Sequence, residues 1–162
     1  MQDLINKYRA KGVLIDTNLL LLLLIGGLDR KLITTFKRLN AYEVSDYDLL
    51  IRLIDGFSKI ITTPHILTEV CNLTNGLYGK TLNDFFDFLK SSIEIIDEIY
   101  EDSHDIVKCQ GFNKYGLADT AILNLANNKY LIITDDLKFA NFAYSQGADV
   151  INFNHIREYS WH

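Results

Sequence analysis

The feature that most constrains the fold is the alternation of short apolar segments with longer segments of helical periodicity. The predicted strands cover residues 13–16, 59–62, 93–96, 130–134 and 148–153. The predicted helices cover residues 19–25, 29–39, 45–57, 81–90, 103–110, 117–127 and 137–146, with a further helix starting at Pro64. Strands that alternate with helices typically form a parallel sheet covered on both faces. We therefore predict an α/β fold, a three-layer α/β/α sandwich with a central parallel sheet of four to five strands.

One domain is expected for a chain of this size. Its 162 residues can bury a core without disulfides or a structural metal, and the single proline gives no sign of a linker. We predict one domain over residues 1–162. Cys71 and Cys109 lie far apart without zinc-ligand spacing, so both are expected to be ordinary thiols in a reducing cytoplasm.

A leucine-rich run over residues 19–25 is the most apolar part of the chain. It is far shorter than the roughly 20 residues that a spanning helix needs, and Asp16 and Asn18 precede it directly. We therefore predict a buried helix and a cytoplasmic protein that does not bind membranes. Gly26 and Gly27 are expected to stop this helix, and Ser45 and Asp46 to cap the helix over residues 45–57.

Basic residues are concentrated in the segment 29–39. Arg30, Lys31, Lys37 and Arg38 accompany apolar residues at helical spacing. A solvated helix face is the simpler interpretation of these side chains. Contact with a phosphate backbone is the alternative.

Asp16 directly follows the first predicted strand. A β-branched apolar run that is buried on both faces normally avoids a carboxylate, so Asp16 should lie at the carboxyl end of the strand. Open α/β sheets bind their ligands at that end. Asp16 and Asn18 could equally be turn and capping residues of the next helix, and the local sequence favours neither interpretation.

Other acidic residues also occur where elements begin or end. Asp135 and Asp136 follow the strand over residues 130–134, and Asp119 lies in the first turn of a late helix. Glu69 lies on the helix that starts at Pro64. The carboxyl ends of parallel strands share one edge, so three or four of these carboxylates could converge there. Each acid could also be a helix cap or a surface residue, but a shared site explains all of them together.

Converging carboxylates repel one another, and a hard divalent cation with oxygen ligands relieves that repulsion. Mg²⁺ or Mn²⁺ in such a site suits phosphodiester hydrolysis by an activated water, without a protein nucleophile. A carboxylate pair that performs acid–base chemistry, as in glycoside hydrolysis, is the competing interpretation. The number of acids at element ends favours the metal.

Overall charge limits the class of partner. The formal net charge of −5 argues against general affinity for nucleic acid, which depends on clustered Lys and Arg. It is compatible with a nuclease whose carboxylates are neutralised by cations. The candidate phosphate contacts are Lys59, Lys80, Lys114, Lys129 and Lys138.

Four motifs together resemble the PIN-domain nucleases over roughly residues 12–154. They are Val-Leu-Ile-Asp16-Thr-Asn18, Thr-Pro-His-Ile-Leu-Thr-Glu69, Gly-Leu-Ala-Asp119-Thr-Ala-Ile and Leu-Ile-Ile-Thr134-Asp135-Asp136. The resemblance lies in their order and context, since no single motif is specific.

The resemblance implies an acidic site that depends on Mg²⁺ or Mn²⁺. The roles of the family's acids fall on Asp16, Glu69, Asp119 and Asp136, which would hold the metal and carry the cleavage. Asn18 and Thr134 match the supporting polar positions. The Thr-x-Asp form indicates Asp136 as the fourth acid, with Asp135 as the alternative.

The resemblance also implies an endoribonuclease. Many small PIN proteins are toxins that a cognate antitoxin protein inhibits, and they often form homodimers. This chain differs from them by additional helical sequence around residues 28–58. The alternatives are a PIN-like binding or scaffold protein with little catalysis, and a nuclease that acts on DNA.

Overall fold

A computed structural model of the protein describes residues 1–160. Its five strands are β1 (Val13–Ile15), β2 (Ile60–Thr62), β3 (Asp97–Glu98), β4 (Leu131–Thr134) and β5 (Val150–Asn152). They form one parallel sheet in the order β3-β2-β1-β4-β5. Helices flank the sheet, which confirms the predicted three-layer α/β/α sandwich and fixes the strand number at five.

One helix precedes the first strand, and the others connect the strands or follow the last one. They are α1 (Gln2–Tyr8), α2 (Thr17–Leu28), α3 (Lys31–Thr35), α4 (Val44–Ile54), α5 (Pro64–Leu73), α6 (Gly79–Ile93), α7 (Ser103–Ile106), α8 (Phe112–Ala126), α9 (Leu137–Ser145) and α10 (Phe153–Ser160). A 3₁₀ turn over Lys37–Leu39 lies between α3 and α4. Within residues 1–160, no helix combines the length and the apolar character needed to cross a bilayer.

β1 lies at the centre of the sheet and is buried along its whole length. Val13 lies between Ile60 of β2 and Leu131 of β4. A central strand with both faces covered requires a continuous apolar run, and this chain supplies it. Because all strands are parallel, the residues that follow β1 and β4 meet at one edge of the sheet.

α2 is the central helix of the core. It contacts α3, α4, α5 and α6, and its leucines are buried nearly all round. A helix that is apolar on every side is typical of a fully buried element. The expected stop at Gly26 and Gly27 is wrong, because α2 continues to Leu28. A β-carbon on Gly26 would overlap the ring of Tyr47, so this glycine allows α4 to pack closely against α2.

Other element boundaries also differ from the prediction. The helix expected over residues 29–39 is interrupted at Phe36, whose extended backbone separates α3 from the 3₁₀ turn. α4 begins at Val44 rather than at a cap on Ser45. Glu43 and Asp46 form its capping box, since the Asp46 carboxylate accepts from the Glu43 backbone N–H at 2.8 Å.

The helix expected over residues 103–110 is too long, because α7 ends at Ile106. Further differences occur at the edges of the sheet. The strand expected over residues 93–96 is wrong in position, because Ile93 ends α6 and β3 starts only at Asp97. β3 is short and exposed, so it lacks the apolar pattern on which strand prediction depends. α10 was not predicted, since the last strand was expected to run to Phe153.

Replacing Gly26 by Ala tests the close packing of α2 and α4. Ala is the better helix former by about 1 kcal/mol, but overpacking a core typically costs about 1–3 kcal/mol. We expect Gly26→Ala to lower the free energy of unfolding by about 1 kcal/mol in urea denaturation. The loss should shrink in a Tyr47→Leu background, and an Ala variant more stable than the wild type would contradict the tight contact.

Candidate functional site

The carboxyl edge of the sheet carries five carboxylates that line one cavity of about 390 Å³. Asp16 follows β1, and Asp135 and Asp136 follow β4. Glu69 reaches the cavity from α5 and Asp119 from α8. The structure therefore brings all the acids singled out in the sequence to one place. The remaining lining residues are Thr17, Asn18, Asn72 and Leu73.

Asp16 is both a helix cap and a member of this cavity. Its Oδ1 accepts from the backbone N–H of Leu19 at 2.9 Å, which caps α2. Its Oδ2 accepts from the Thr134 hydroxyl and from the backbone N–H of Asp135 at 2.9 Å. The two interpretations of Asp16 are thus compatible. Burial and the neighbouring Asp135 carboxylate raise the pKa of Asp16 well above its ordinary value, against the opposing effect of these hydrogen bonds.

Thr134 connects the ends of β1 and β4. Its hydroxyl is fully buried, donates to Asp16 and accepts from the backbone N–H of Asp136 at 3.0 Å. One side chain therefore sets the direction in which the chain leaves β4. Thr134 was predicted as a supporting polar group, and the structure places its hydroxyl against Asp16, while that role stays a prediction.

The two acids after β4 have different surroundings. Asp135 accepts from the Asn18 amide at 3.3 Å through Oδ1 and from the Tyr42 hydroxyl through Oδ2. Asp136 caps α9, because its Oδ1 accepts from the backbone N–H groups of Lys138 and Phe139 at 2.7 and 3.0 Å. Its Oδ2 makes no hydrogen bond within residues 1–160. Both acids line the cavity, so the choice between them as fourth ligand stays a prediction.

Glu69 is positioned by the start of its helix. Thr63 caps α5 by accepting from the backbone N–H of Ile66 at 3.2 Å, and Pro64 occupies the first turn, as predicted. Glu69 then lies on the exposed side of α5, where its Oε2 accepts from the Thr17 hydroxyl at 2.8 Å. Thr17 was not predicted to contribute. Its position directly after Asp16 could have indicated that it lies at the same site.

Asp119 follows a kink in α8. Gly116 has a φ of 75°, which separates the first turn from the rest of the helix and places Asp119 near the start of the continuing part. Among residues 1–160, the Asp119 carboxylate makes no hydrogen bond. Burial, followed by the charges of Glu69, Asp136 and Asp135, raises the pKa of Asp119 to about 7. Part of that increase is therefore repulsion between the carboxylates.

The donor set fits a hard divalent cation in its chemistry. Five carboxylates, two carboxamides and a hydroxyl line the cavity, and no Lys or Arg lies among them to offset the negative charge. In the described part of the chain, no group of three or more Asp, Glu, His or Cys side chains is arranged so that it could hold a metal ion. The carboxylates thus share a cavity without closing on one point.

Several supporting residues were missed at the level of sequence. Asn72 lies one helical turn after Glu69 on α5, a spacing that could have indicated it. Tyr42 contacts Asp135 from the connection before α4, and the Asn154 amide of α10 donates to the Asp135 backbone oxygen at 2.6 Å. No local pattern marks these two contacts, since each joins segments far apart in the sequence.

The lysines proposed as phosphate contacts are dispersed. Lys59 lies 3.1 Å from Asp97, and Lys80 lies 2.6 Å from Asp84. Lys59 and Lys129 precede β2 and β4, so they lie at the amino edge of the sheet, away from the acids. Of these five lysines, Lys138 is the nearest in sequence to an acid of the cavity, since it follows Asp136 by two residues.

Comparison with known proteins adds no family assignment. No protein-family model matches the chain, and no curated protein matches it.

Replacing Asp119 by Asn tests the repulsion in the cavity. The raised pKa of Asp119 means that the folded state holds a proton which the unfolded state releases, so stability falls as pH rises from about 4 to about 7. We expect Asp119→Asn, in the presence of a chelator, to be more stable than the wild type by roughly 2 kcal/mol at pH 8 and equally stable near pH 4.

Adding Mn²⁺ should reverse this order at pH 8, because only the wild type keeps the full set of carboxylates and ligand binding stabilises the folded state. Thermal unfolding followed by circular dichroism measures both effects. Asp87→Asn, on the exposed side of α6, is the matched control and should change neither. An Asp119→Asn variant that tracks the wild type at every pH and Mn²⁺ concentration would contradict the electrostatic description.

Proposed function

We propose that this protein is a Mg²⁺- or Mn²⁺-dependent nuclease that hydrolyses the phosphodiester bonds of RNA. The observation that supports it is the cavity at the carboxyl edge of the sheet, where acids from four separate segments of the chain come together. The order of these acids along the chain is also the order that the PIN-domain resemblance implies. Such clustering is costly for folding, which favours a function that requires it.

In this proposal Asp16, Glu69, Asp119 and Asp136 hold the cation. When bound, the cation supplies Lewis-acid stabilisation of the phosphate and lowers the pKa of a water molecule. The protein needs no nucleophile of its own. Asp119 has no hydrogen-bond donor among residues 1–160 to satisfy it, and its raised pKa means that binding a cation competes with binding a proton.

The neutral donors around the cavity hold the acids in place. Thr134 donates to Asp16, and Thr17 donates to one oxygen of Glu69. Among residues 1–160, the second oxygen of Glu69 makes no hydrogen bond. The Asn18 amide donates to Asp135 at 3.3 Å, the longest of these contacts, and it lies on the exposed rim. Asn18 is therefore the group best placed to exchange its partner for a water or a phosphate oxygen.

A binding protein with little catalysis is the second candidate. One observation favours it, because the carboxylates of residues 1–160 do not form a ready ligand group for a metal ion. Titration calorimetry with Mn²⁺ separates the candidates. Tight Mn²⁺ binding that Asp119→Asn abolishes supports the nuclease, and a wild type without measurable binding supports the second candidate.

RNA as substrate, and an inhibitory antitoxin as partner, are the finer parts of the proposal. Both come from the resemblance to the PIN toxins, many of which act on RNA. The acidic overall charge of −5 favours a small or guided target over long duplex DNA. Parallel assays on RNA and DNA of the same sequence decide the first part. A search for a protein that binds and inhibits this chain decides the second.

Asp16→Asn and Asp119→Asn test the catalytic proposal. Each removes one negative charge from the cavity and should lower the rate of cleavage of single-stranded RNA by at least about a hundredfold, since cation-mediated stabilisation is worth several kcal/mol. Asp119→Asn disturbs no hydrogen bond of the described residues, so it separates chemistry from folding. The measurement is the cleavage rate of an end-labelled RNA in Mn²⁺.

Asp87→Asn serves as the control with an unchanged rate. Addition of a chelator should abolish cleavage by the wild type. Undiminished cleavage by folded Asp119→Asn protein, or activity that survives the chelator, would overturn the assignment of these acids.

A further inference from the structure

A second polar cavity, of about 600 Å³, lies beside the acidic one and has the opposite charge. Lys37 and Arg38 of the 3₁₀ turn supply its charge, and the carboxamides of Asn40 and Asn75 line it with them. Among residues 1–160, no acidic side chain lines it. We call it the basic cavity.

Two segments of chain connect the basic cavity to the acidic one. On α5 and its end, Asn72 and Leu73 line the acidic cavity, and Asn75 lines the basic one. In the connection before α4, the 3₁₀ turn lines the basic cavity, and Tyr42, which follows it closely, donates to Asp135. The two cavities are therefore close to each other in the fold, because only a few residues of each segment separate their linings.

Lys37 and Arg38 are exposed and make no ion pair or hydrogen bond with their side chains among the described residues. Their distinguishing feature is that they lie next to each other on one cavity, and some other cations of the chain are paired with carboxylates. Arg30 lies 2.5 Å from Asp48, and Lys80 lies 2.6 Å from Asp84. Two adjacent cations without partners, in a chain of net charge −5, leave an anion-binding surface open.

The walls of the basic cavity are held by packing. Phe36 is buried, and its ring lies 3.1 Å from where a β-carbon on Gly76 would be, so the 3₁₀ turn packs against the end of α5. On the other side, Arg157 of α10 donates to the Ala41 backbone oxygen at 2.7 Å and to the buried Asp46 at 2.8 Å. The connection that carries Lys37 and Arg38 is thus anchored at both ends.

We propose that the basic cavity binds the backbone phosphates of the RNA strand that flank the phosphate at the acidic cavity. This rests on the proposed nuclease function, and it assigns Lys37 and Arg38 as residues that bind substrate. Arg can bind a phosphate through two parallel hydrogen bonds, and Lys adds a point charge. Asn40 and Asn75 offer neutral donors and acceptors to phosphate or ribose oxygens.

Binding of the RNA strand at the basic cavity would offset the repulsion between RNA and the acidic cavity. The acidic cavity repels an anionic substrate until cations neutralise it, so affinity for RNA must come from elsewhere on the surface. A polyanion can occupy both cavities at once, whereas a free phosphate can occupy only one. Binding at the basic cavity would then place the adjacent part of the strand over the acids.

The test compares Lys37→Ala/Arg38→Ala with Arg52→Ala/Lys90→Ala. The control pair loses the same two charges from exposed positions that line neither cavity. Both pairs are made in the otherwise wild-type chain with Mn²⁺, and fluorescence anisotropy measures binding of a short single-stranded phosphorothioate RNA, which keeps the backbone charge and resists hydrolysis. Thermal unfolding confirms that each variant is folded.

We expect the Lys37/Arg38 pair to weaken binding by about tenfold or more and to reduce the slope of log K against log salt by about 1.4, since each phosphate contact on a single strand contributes about 0.7. The control pair should have a much smaller effect. Equal binding and equal slope for both pairs would overturn the proposal, as would a parent protein that does not bind RNA.

Two further arms separate the possible outcomes. Inorganic phosphate, compared with chloride at the same ionic strength, should displace the RNA no better, and selective displacement would indicate a free-phosphate site and overturn the strand proposal. Cleavage by the wild type is measured independently. Loss of binding specific to the Lys37/Arg38 pair supports the strand contact, and cleavage without that loss rejects the contact but leaves the nuclease proposal intact.

Discussion

The buried carboxylate of Asp16 is the interaction on which the rest of the site depends. Asp16 directly follows β1, and its carboxylate caps α2. The same carboxylate accepts hydrogen bonds from the Thr134 hydroxyl and the Asp135 backbone N–H at the end of β4. Three elements are therefore joined through one buried side chain at the wall of the acidic cavity. Because an unpaired charge at this position would be costly, the donors around Asp16 are a condition for folding as well as for the geometry of the cavity.

Negative and positive side chains of this protein line two separate cavities that lie close together. In the described part of the chain, the acidic cavity is lined by five carboxylates and no Lys or Arg, and the neighbouring basic cavity is lined by Lys37 and Arg38 and no carboxylate. Tyr42 lies in the connection between them, where burial and the Asp135 carboxylate raise the pKa of its hydroxyl and keep it a donor. The Asp135 carboxylate thus receives a hydrogen bond from the neutral Tyr42 hydroxyl and needs no pairing with Lys37 or Arg38.

Much of the fold and part of the site could be predicted from the sequence, for a physical reason. Parallel strands share one edge, so acids such as Asp16 and Asp135 could be placed together without knowledge of the strand order. The contacts of Tyr42 and Asn154 could not, because they depend on the path of long connections that no local periodicity encodes. Gly26 was misread because a glycine that ends a helix and a glycine that admits a neighbouring ring look alike in one sequence.

α10 adds a constraint that concerns the order of synthesis. Asn154 and Arg157 support Asp135 and the connection before α4, although they follow every acid of the cavity in the chain. On a ribosome that makes the protein from its amino end, the acids emerge first and their last supports emerge later. A nascent chain would therefore carry all five carboxylates before it could hold them in place, which delays assembly of the site until α10 has been made.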